Sequence, residues 1–242
     1  MTILITGVTG ALGSELKIIY SDSIAPSHKD FDICDLSTVQ KFFRTEKIDI
    51  VIHTAALTTV RGCEENKSRA LDINVKGTRN LITEFKKSNP SGKFVYLSTA
   101  CVFDGNSGMF TETSIPYPEN FYSLTKLLGE NIVSQFNDSL IIRTNFIAKK
   151  PWPYPKAFTD RYGTYLFANQ IALGIKDILN ENLEGIIHLV GDKKISMFEL
   201  AKLTTPNIQP MTMNDYSGPP LTIDMSLDTK RWKKYSILEN KI

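Results

Sequence analysis

A chain of 242 residues with 42% hydrophobic content is long enough to bury a full core, as one large domain or as one domain plus a small lobe. Its formal charge of +2, with 28 basic residues spread along the chain, argues against nucleic acid and anionic membrane as partners. Cys34, Cys63 and Cys101 are far apart, with neither metal-ligand spacing nor a disulfide framework, so a reducing compartment and no metal centre are expected. Gly7 interrupts the apolar start too soon for a signal peptide, and no stretch is long enough to span a bilayer, which points to a cytoplasmic protein.

In chain order, the first expected strand covers residues 2–6 and runs into Thr6-Gly7-Val8-Thr9-Gly10-Ala11-Leu12-Gly13 and a helix from Ser14 to Ile19. Further strands at 23–27, 49–53, 93–98 and 139–144 alternate with helices over Thr38 to Glu46, N-capped by Ser37, over Leu71 to Lys87, and over Phe121 to Phe136. Such alternation builds βαβ units around a parallel sheet. Residues 100–120, rich in Gly, Asn, Ser and Pro, read as a long ordered loop, and residues 148–161 combine three prolines with aromatic and basic side chains. Beyond them, Tyr162 to Asn180 reads as helix, Gly185 to Leu189 as extended, Ser196 to Leu203 as helix with Ser196 and Glu199 at capping-box spacing, and 230–234 as an amphipathic terminal helix with solvated charges. The expected fold is α/β, a doubly wound parallel sheet of the NAD(P)-binding Rossmann kind over residues 1–146. A small substrate lobe, 147–242, partly interleaves with it.

The glycine loop carries the first chemical signal. Gly7 permits a tight turn, Gly10 lets backbone approach a pyrophosphate, and Gly13 lets the helix pack on the strand; with Thr9, Ala11 and Leu12 they would cradle a dinucleotide at a helix N-terminus. Near the end of the second strand stand His28 and Lys29, where an acidic residue would hold the ribose of NAD. Paired with a 2′-phosphate, they favour NADP(H) over NAD(H); as solvated loop residues they favour neither.

The second signal is Tyr122-Ser123-Leu124-Thr125-Lys126, which puts a phenol and an ammonium on one helix face. A free phenol titrates near pH 10, about three units too high for acid-base work at neutral pH, and a neighbouring Lys126 together with an oxidised nicotinamide would favour phenolate. Ser98 and Thr99 end a parallel strand, where open α/β sheets bind ligands, so Thr99 can donate to a substrate oxygen. His28, His53 and His188 lack a coherent metal spacing, and Cys101 reads as a packing residue rather than a nucleophile.

Together with Asp32-Ile33-Cys34-Asp35-Leu36, Ile52-His53-Thr54-Ala55-Ala56 and Asn74-Val75-Lys76-Gly77-Thr78, these motifs resemble the extended short-chain dehydrogenase/reductases over residues 1–146. Within that superfamily, 97–105, 122–130, 187–191 and 226–230 are most similar to the dTDP-4-dehydrorhamnose reductases. The resemblance implies a reductase of a nucleotide-linked 4-keto-6-deoxy sugar, with Tyr122 as general acid, Lys126 as its ribose-binding partner and Thr99 positioning the oxygen. It further implies Asp35 and Leu36 at the adenine, Ala55, Ala56 and Thr58 along the cofactor, and Thr99, Cys101, Asn145 and Phe146 beside the substrate. Asn74 would support the backbone. The residues of 145–161 themselves leave two readings: Lys149, Lys150, Lys156 and Arg161 meeting a pyrophosphate with Phe146, Trp152 or Tyr154 on a base or sugar face, or a proline-stiffened surface loop with solvated lysines. Ala100 and Cys101 stand where reductases of this group carry Asp and Tyr and where the dehydratases need an acidic pair, which argues against dehydration. An epimerase that retains its dinucleotide and a non-catalytic, dinucleotide-binding regulatory subunit are the competing roles, and a homodimer through helices flanking the site is the assembly the resemblance suggests.

Overall fold

The computed structural model describes residues 1–238. Five strands form one parallel sheet in the order β1 (Ile3–Thr6), β2 (Ile50–His53), β3 (Lys93–Leu97), β4 (Ser139–Arg143) and a last strand, Gly185–His188. The strands are runs of β-branched and aromatic residues because both sheet faces are covered. Ile3 and Ile5 of β1 face one core layer and Leu4 the other.

The helices divide accordingly. On one face α1 (Ala11–Ile19) packs against the later helix Ala168–Asn180. On the other lie α2 (Leu36–Thr45), then α3 (Val60–Glu65), α4 (Lys67–Leu71) and α5 (Thr78–Ser88), then α6 (Phe121–Val133). A π-helical turn, Asp72–Gly77, joins α4 to α5. The expected helix from Leu71 to Lys87 is therefore one continuous rod with a widened turn that carries Asn74.

The expected second strand is nearly absent. Only Ile24 bridges the outer side of β1, through Ile24 N to Ile3 O at 2.8 Å and Ile5 N to Ile24 O at 2.9 Å, and Pro26 lacks the N–H to extend the ladder. The chain thus leaves β1 to one side, touches it at Ile24 and returns on the other side as β2. That reversal opens the crevice at the C-terminal ends of the strands where open α/β sheets bind ligands.

The C-terminal part supplies β5 (Phe146–Ile147), β6 (Lys156–Phe158), β7 (Tyr162–Gly163), β8 (Leu166–Phe167), α7 (Ala168–Asn180), β9 (Gly185–His188), β10 (Ile195–Ser196), α8 (Met197–Lys202), β11 (Gln209–Met211) and β12 (Asp224–Met225). β5 pairs with β8, β6 with β11, and β7 with both β10 and β12, while α7 and β9 complete the main sheet and its cover.

Three expectations are corrected here. Tyr162 to Phe167 is not helical, since Tyr162–Gly163 pairs with β10 and β12 and Leu166–Phe167 with β5, and helix begins only at Ala168. Helix α2 is capped by Asp35, not Ser37, because the Asp35 carboxylate accepts from Ser37 N at 2.9 Å. Residues 230–234 form no helix: Lys233 and Lys234 pair with Asp177 and Asp228 at 2.9 and 2.8 Å, and Trp232 packs on the core. Among the described residues no helix is long and apolar enough to cross a membrane, and no group of three or more His, Cys, Asp or Glu is placed to hold a metal.

Candidate active site

The crevice is a cleft of about 970 Å³ lined by the whole glycine loop and by segments that follow β2, β3 and β4. Gly7 takes φ +77°, and a Cβ there would meet Ala55 N at 2.7 Å; a Cβ on Gly13 would meet Gly7 O at 2.2 Å. The loop therefore closes only with glycine at both positions. No side chain caps α1 at Gly10, so its first-turn amides face the cleft with the positive end of the helix dipole.

Thr99, Cys101, Tyr122, Lys126, Asn145 and Phe146, which the sequence disperses over three segments, all line this cleft. Asn120 caps α6 by accepting from Ser123 N at 2.9 Å, which fixes Tyr122 in the first turn. From that turn the Tyr122 phenol shares the cleft wall with the Thr99 hydroxyl and stands near enough to feel it. Burial pushes the phenol well above its ordinary value, Cys101 adds to the rise, and the neighbouring Thr99 hydroxyl only partly offsets it.

Lys126 is buried, with its ammonium 4.0 Å from the centre of the Tyr96 ring. Burial lowers its pKa to about 7, against the pull of Glu130 one turn along α6. The first cause of both shifts is burial, which favours the neutral phenol and the neutral amine. The lysine is itself on the verge of losing its charge, and the phenol keeps its proton at neutral pH.

Residues 1–151 match the family model described as the RmlD substrate binding domain. The chain belongs to the RmlD family. A solved structure described as a hypothetical dTDP-4-dehydrorhamnose reductase from Sulfolobus tokodaii is similar at TM-score 0.85 and 32% identity, covering 96% of this chain and 93% of that one. A dTDP-4-dehydrorhamnose reductase of Aggregatibacter actinomycetemcomitans is 28% identical over 226 residues, 82% of this chain and 76% of that protein. Methionine adenosyltransferase 2 subunit beta of Xenopus laevis is 25% identical over 282 residues, 97% of this chain and 82% of that protein.

The remaining expected cofactor residues of this RmlD-family chain separate into two groups. Thr9, Ala11, Leu12, His28, Ala55, Ala56 and Thr58 line the cleft, whereas Lys29, Asp35 and Leu36 do not. Lys29 is exposed outside it. Asp35 is committed to its capping role, taking hydrogen bonds from Ser37 and from Thr38 Oγ1 at 2.8 Å, which holds it below the usual carboxylate range. Asp32, Ile33 and Cys34 line the cleft, as does His28 of the expected basic pair. Tyr165, Met197 and Met225 also line the cleft, from the link between β7 and β8, from α8 and from β12, which no local motif connects, and Arg161 joins them from the proline-rich segment.

Two buried networks hold the reacting groups. Arg143 grips Glu130 through Nε at 2.9 Å and Nη2 at 2.7 Å, and Ser98, next to Thr99, donates to Glu130 Oε1 at 2.5 Å. In the second, Asn74 joins Leu57 N and O at 2.8 and 3.0 Å and donates to Thr125 Oγ1 at 2.9 Å, tying the π-turn to α6.

His53 spans Thr6 Oγ1 at 2.7 Å and Thr78 Oγ1 at 3.0 Å, and burial, with Lys126 nearby, lowers its pKa to about 3. Unfolded histidine binds a proton near pH 6.5, but folded His53 stays neutral to about pH 3, so stability is lost as pH falls through that window. At pH 4.5 this residue is expected to cost about 2–3 kcal/mol relative to pH 7. Urea unfolding at the two pH values should show a shallower acid loss for His53→Gln, and equal slopes would rule the residue out as a source of it.

Proposed function

We propose that this protein is an NADPH-dependent reductase of a nucleotide-linked 4-keto-6-deoxy sugar, with Tyr122 as the general acid. The observation that carries the reading is the meeting of Thr99, Tyr122 and Lys126 in the same cleft as the glycine loop. The uncapped amides of α1 and the glycine-only loop fit a dinucleotide pyrophosphate, and Ala55, Ala56 and Thr58 extend that wall. When bound, the reduced nicotinamide supplies the hydride for the keto carbon.

The chain supplies the proton and the positioning. The protonated Tyr122 phenol donates to the keto oxygen, and the Thr99 hydroxyl, on the same cleft wall, orients that oxygen. Lys126 holds the ribose. Neither Ala100 nor Cys101 offers a carboxylate for removing water, which favours reduction over dehydration. His28 supports NADPH, while Asp32 is the group that would hold the ribose of NADH, so both cofactors belong in the test.

The deciding measurement follows reduced-nicotinamide absorbance with NADPH and NADH offered separately beside an enzymatically generated dTDP-4-keto-6-deoxy sugar. Oxidation with NADPH is the expected result. Firm dinucleotide binding without oxidation would overturn the reductase and favour the second reading, a non-catalytic regulatory subunit. That reading draws on the similarity to methionine adenosyltransferase 2 subunit beta over 97% of the chain.

Cofactor binding should also respond to pH through Lys126, which loses its charge above about pH 7 in the free protein. An anionic dinucleotide favours the ammonium form, so binding takes up a proton and affinity falls as pH rises from 7 to 9, by at most about tenfold per pH unit. Titration of NADPH fluorescence across that range checks it, and a flat profile would remove Lys126 from the cofactor's surroundings.

A further inference from the structure

Thr6, Thr54, Ser98, Thr99 and Thr144 bring a row of hydroxyls from the strand ends of the main sheet to the cleft. The first four have protein partners. Thr6 Oγ1 is held by His53 at 2.7 Å, and Thr54 Oγ1 donates to Thr6 O at 2.7 Å. Ser98 Oγ donates to Glu130, and Thr99 Oγ1 accepts from Cys101 N at 3.2 Å. Thr144, directly after β4, is different: it is 3% exposed, and its Oγ1 has no hydrogen-bond partner. Among the described residues, Tyr165 is the other cleft-lining residue with a buried, unpaired side-chain oxygen, and it lies off the main sheet between β7 and β8.

Thr144 cannot turn away to find a partner. Its carbonyl accepts from Ala100 N at 3.2 Å, and Arg143 before it is bound to Glu130. Asn145 after it donates to Met225 O at 2.6 Å and accepts at its carbonyl from Leu166 N at 3.1 Å. The β-branched side chain has few rotamers of its own. A buried hydroxyl left unpaired is costly, and one on a cleft wall is completed by what binds there.

Sheet order says which part of a dinucleotide passes this point. The pyrophosphate belongs at the amides of α1, beside β1, and the two halves of the molecule leave it in opposite directions along the crevice. One half turns to the outer side of β1, where Pro26, Ser27 and His28 line the cleft. The other crosses the ends of β2 and β3 toward β4, the side on which Thr99, Tyr122 and Lys126 stand. The nicotinamide is the half that must reach them. Its carboxamide carries one acceptor and two donors, and a threonine hydroxyl can meet either kind.

We propose that Thr144 is a cofactor-positioning residue, whose hydroxyl hydrogen-bonds the nicotinamide carboxamide and so sets which face of the ring is turned to the carbonyl beside Thr99 and Tyr122. This rests on the dinucleotide-reductase reading above and adds a residue to it. The glycine loop grips the phosphates and leaves the ring free to turn about its glycosidic bond. A polar anchor on the carboxamide removes that freedom before the substrate arrives.

The test is calorimetric titration of wild type, Thr144→Val and Thr144→Ser with NADPH and NADH, each beside its nicotinamide-free counterpart, 2′-phospho-ADP-ribose or ADP-ribose. Thr144→Val should weaken the preferred dinucleotide by about three- to tenfold and leave its counterpart unchanged, and Thr144→Ser should stay near wild type. The melting temperature of ligand-free Thr144→Val should hold or rise, because the hydroxyl has no protein partner to lose. Undiminished dinucleotide binding by Thr144→Val would overturn the proposal. An equal loss with and without the nicotinamide ring would overturn it too, since the hydroxyl would then serve the phosphates or the fold. A ring-selective loss without oxidation of either dinucleotide by the keto sugar would support Thr144 and defeat the reductase reading, and oxidation without a ring-selective loss would do the reverse.

Discussion

Tyr122→Phe is expected to lower kcat for keto-sugar reduction by about 10²–10⁴-fold while leaving substrate KM and NADPH affinity within a factor of a few. The substitution removes one hydroxyl and nothing else. The ring keeps its place in the cleft wall, Lys126 still rests on Tyr96, and the glycine loop is untouched. What disappears is the proton placed beside Thr99. The raised pKa of Tyr122 sharpens the expectation, because the group is protonated throughout the neutral range and its loss removes a standing acid. Steady-state kinetics with NADPH would show the loss in kcat alone. A fall in kcat/KM caused by KM would make Tyr122 a binding group, and an unchanged rate would point to the regulatory reading.

How much of this was legible in sequence depends on how far each residue acts through its neighbours in the chain. Gly7, Gly10 and Gly13 act through local turn geometry, and Tyr122 and Lys126 through helical spacing, so their cleft positions follow from order and distance along the chain. Asp35 was read at the adenine and Ser37 as the cap, whereas the Asp35 carboxylate itself accepts from Ser37 and Thr38 at the start of α2, a choice among neighbouring polar residues that spacing does not make. The stretch from Tyr162 to Phe167 carries aromatic residues at spacings that suit a helix, but β5, β10 and β12 claim it by pairing that no local pattern reveals.

The same limit separates the two sides of the cleft. The cofactor side is built from consecutive strand ends of one sheet, which is why motif order suffices to outline it. Arg161, Tyr165, Met197 and Met225 come together only because β7, α8 and β12 converge, and each looks ordinary in its own segment. Charge state is less legible still: the Tyr122 phenol and the Lys126 amine move in directions set by burial, which spacing does not encode.

Arg143→Met is expected to be the most destabilising single substitution outside the glycine loop, at about 3–5 kcal/mol, because it strands a buried carboxylate. Arg143 and Glu130 are 2% and 3% exposed, so neither can turn to water when its partner is lost. Ser98 alone would remain to satisfy Glu130. The pair also joins the three elements that assemble the site: Glu130 lies on the Tyr122 helix, Ser98 precedes Thr99, and Arg143 ends β4 just before Asn145. Urea unfolding should therefore show the loss in stability together with a fall in turnover. The double variant Arg143→Met/Glu130→Leu discriminates the cause, since removing both charges replaces a desolvated pair with apolar contact, and stability should recover by about 2 kcal/mol or more over the single variant. Turnover should stay low in the double variant, because Ser98 no longer has the carboxylate that holds it against α6. If stability did not recover, the loss would come from the arginine's packing on Phe103, 5.1 Å from the ring centre, and not from the abandoned charge.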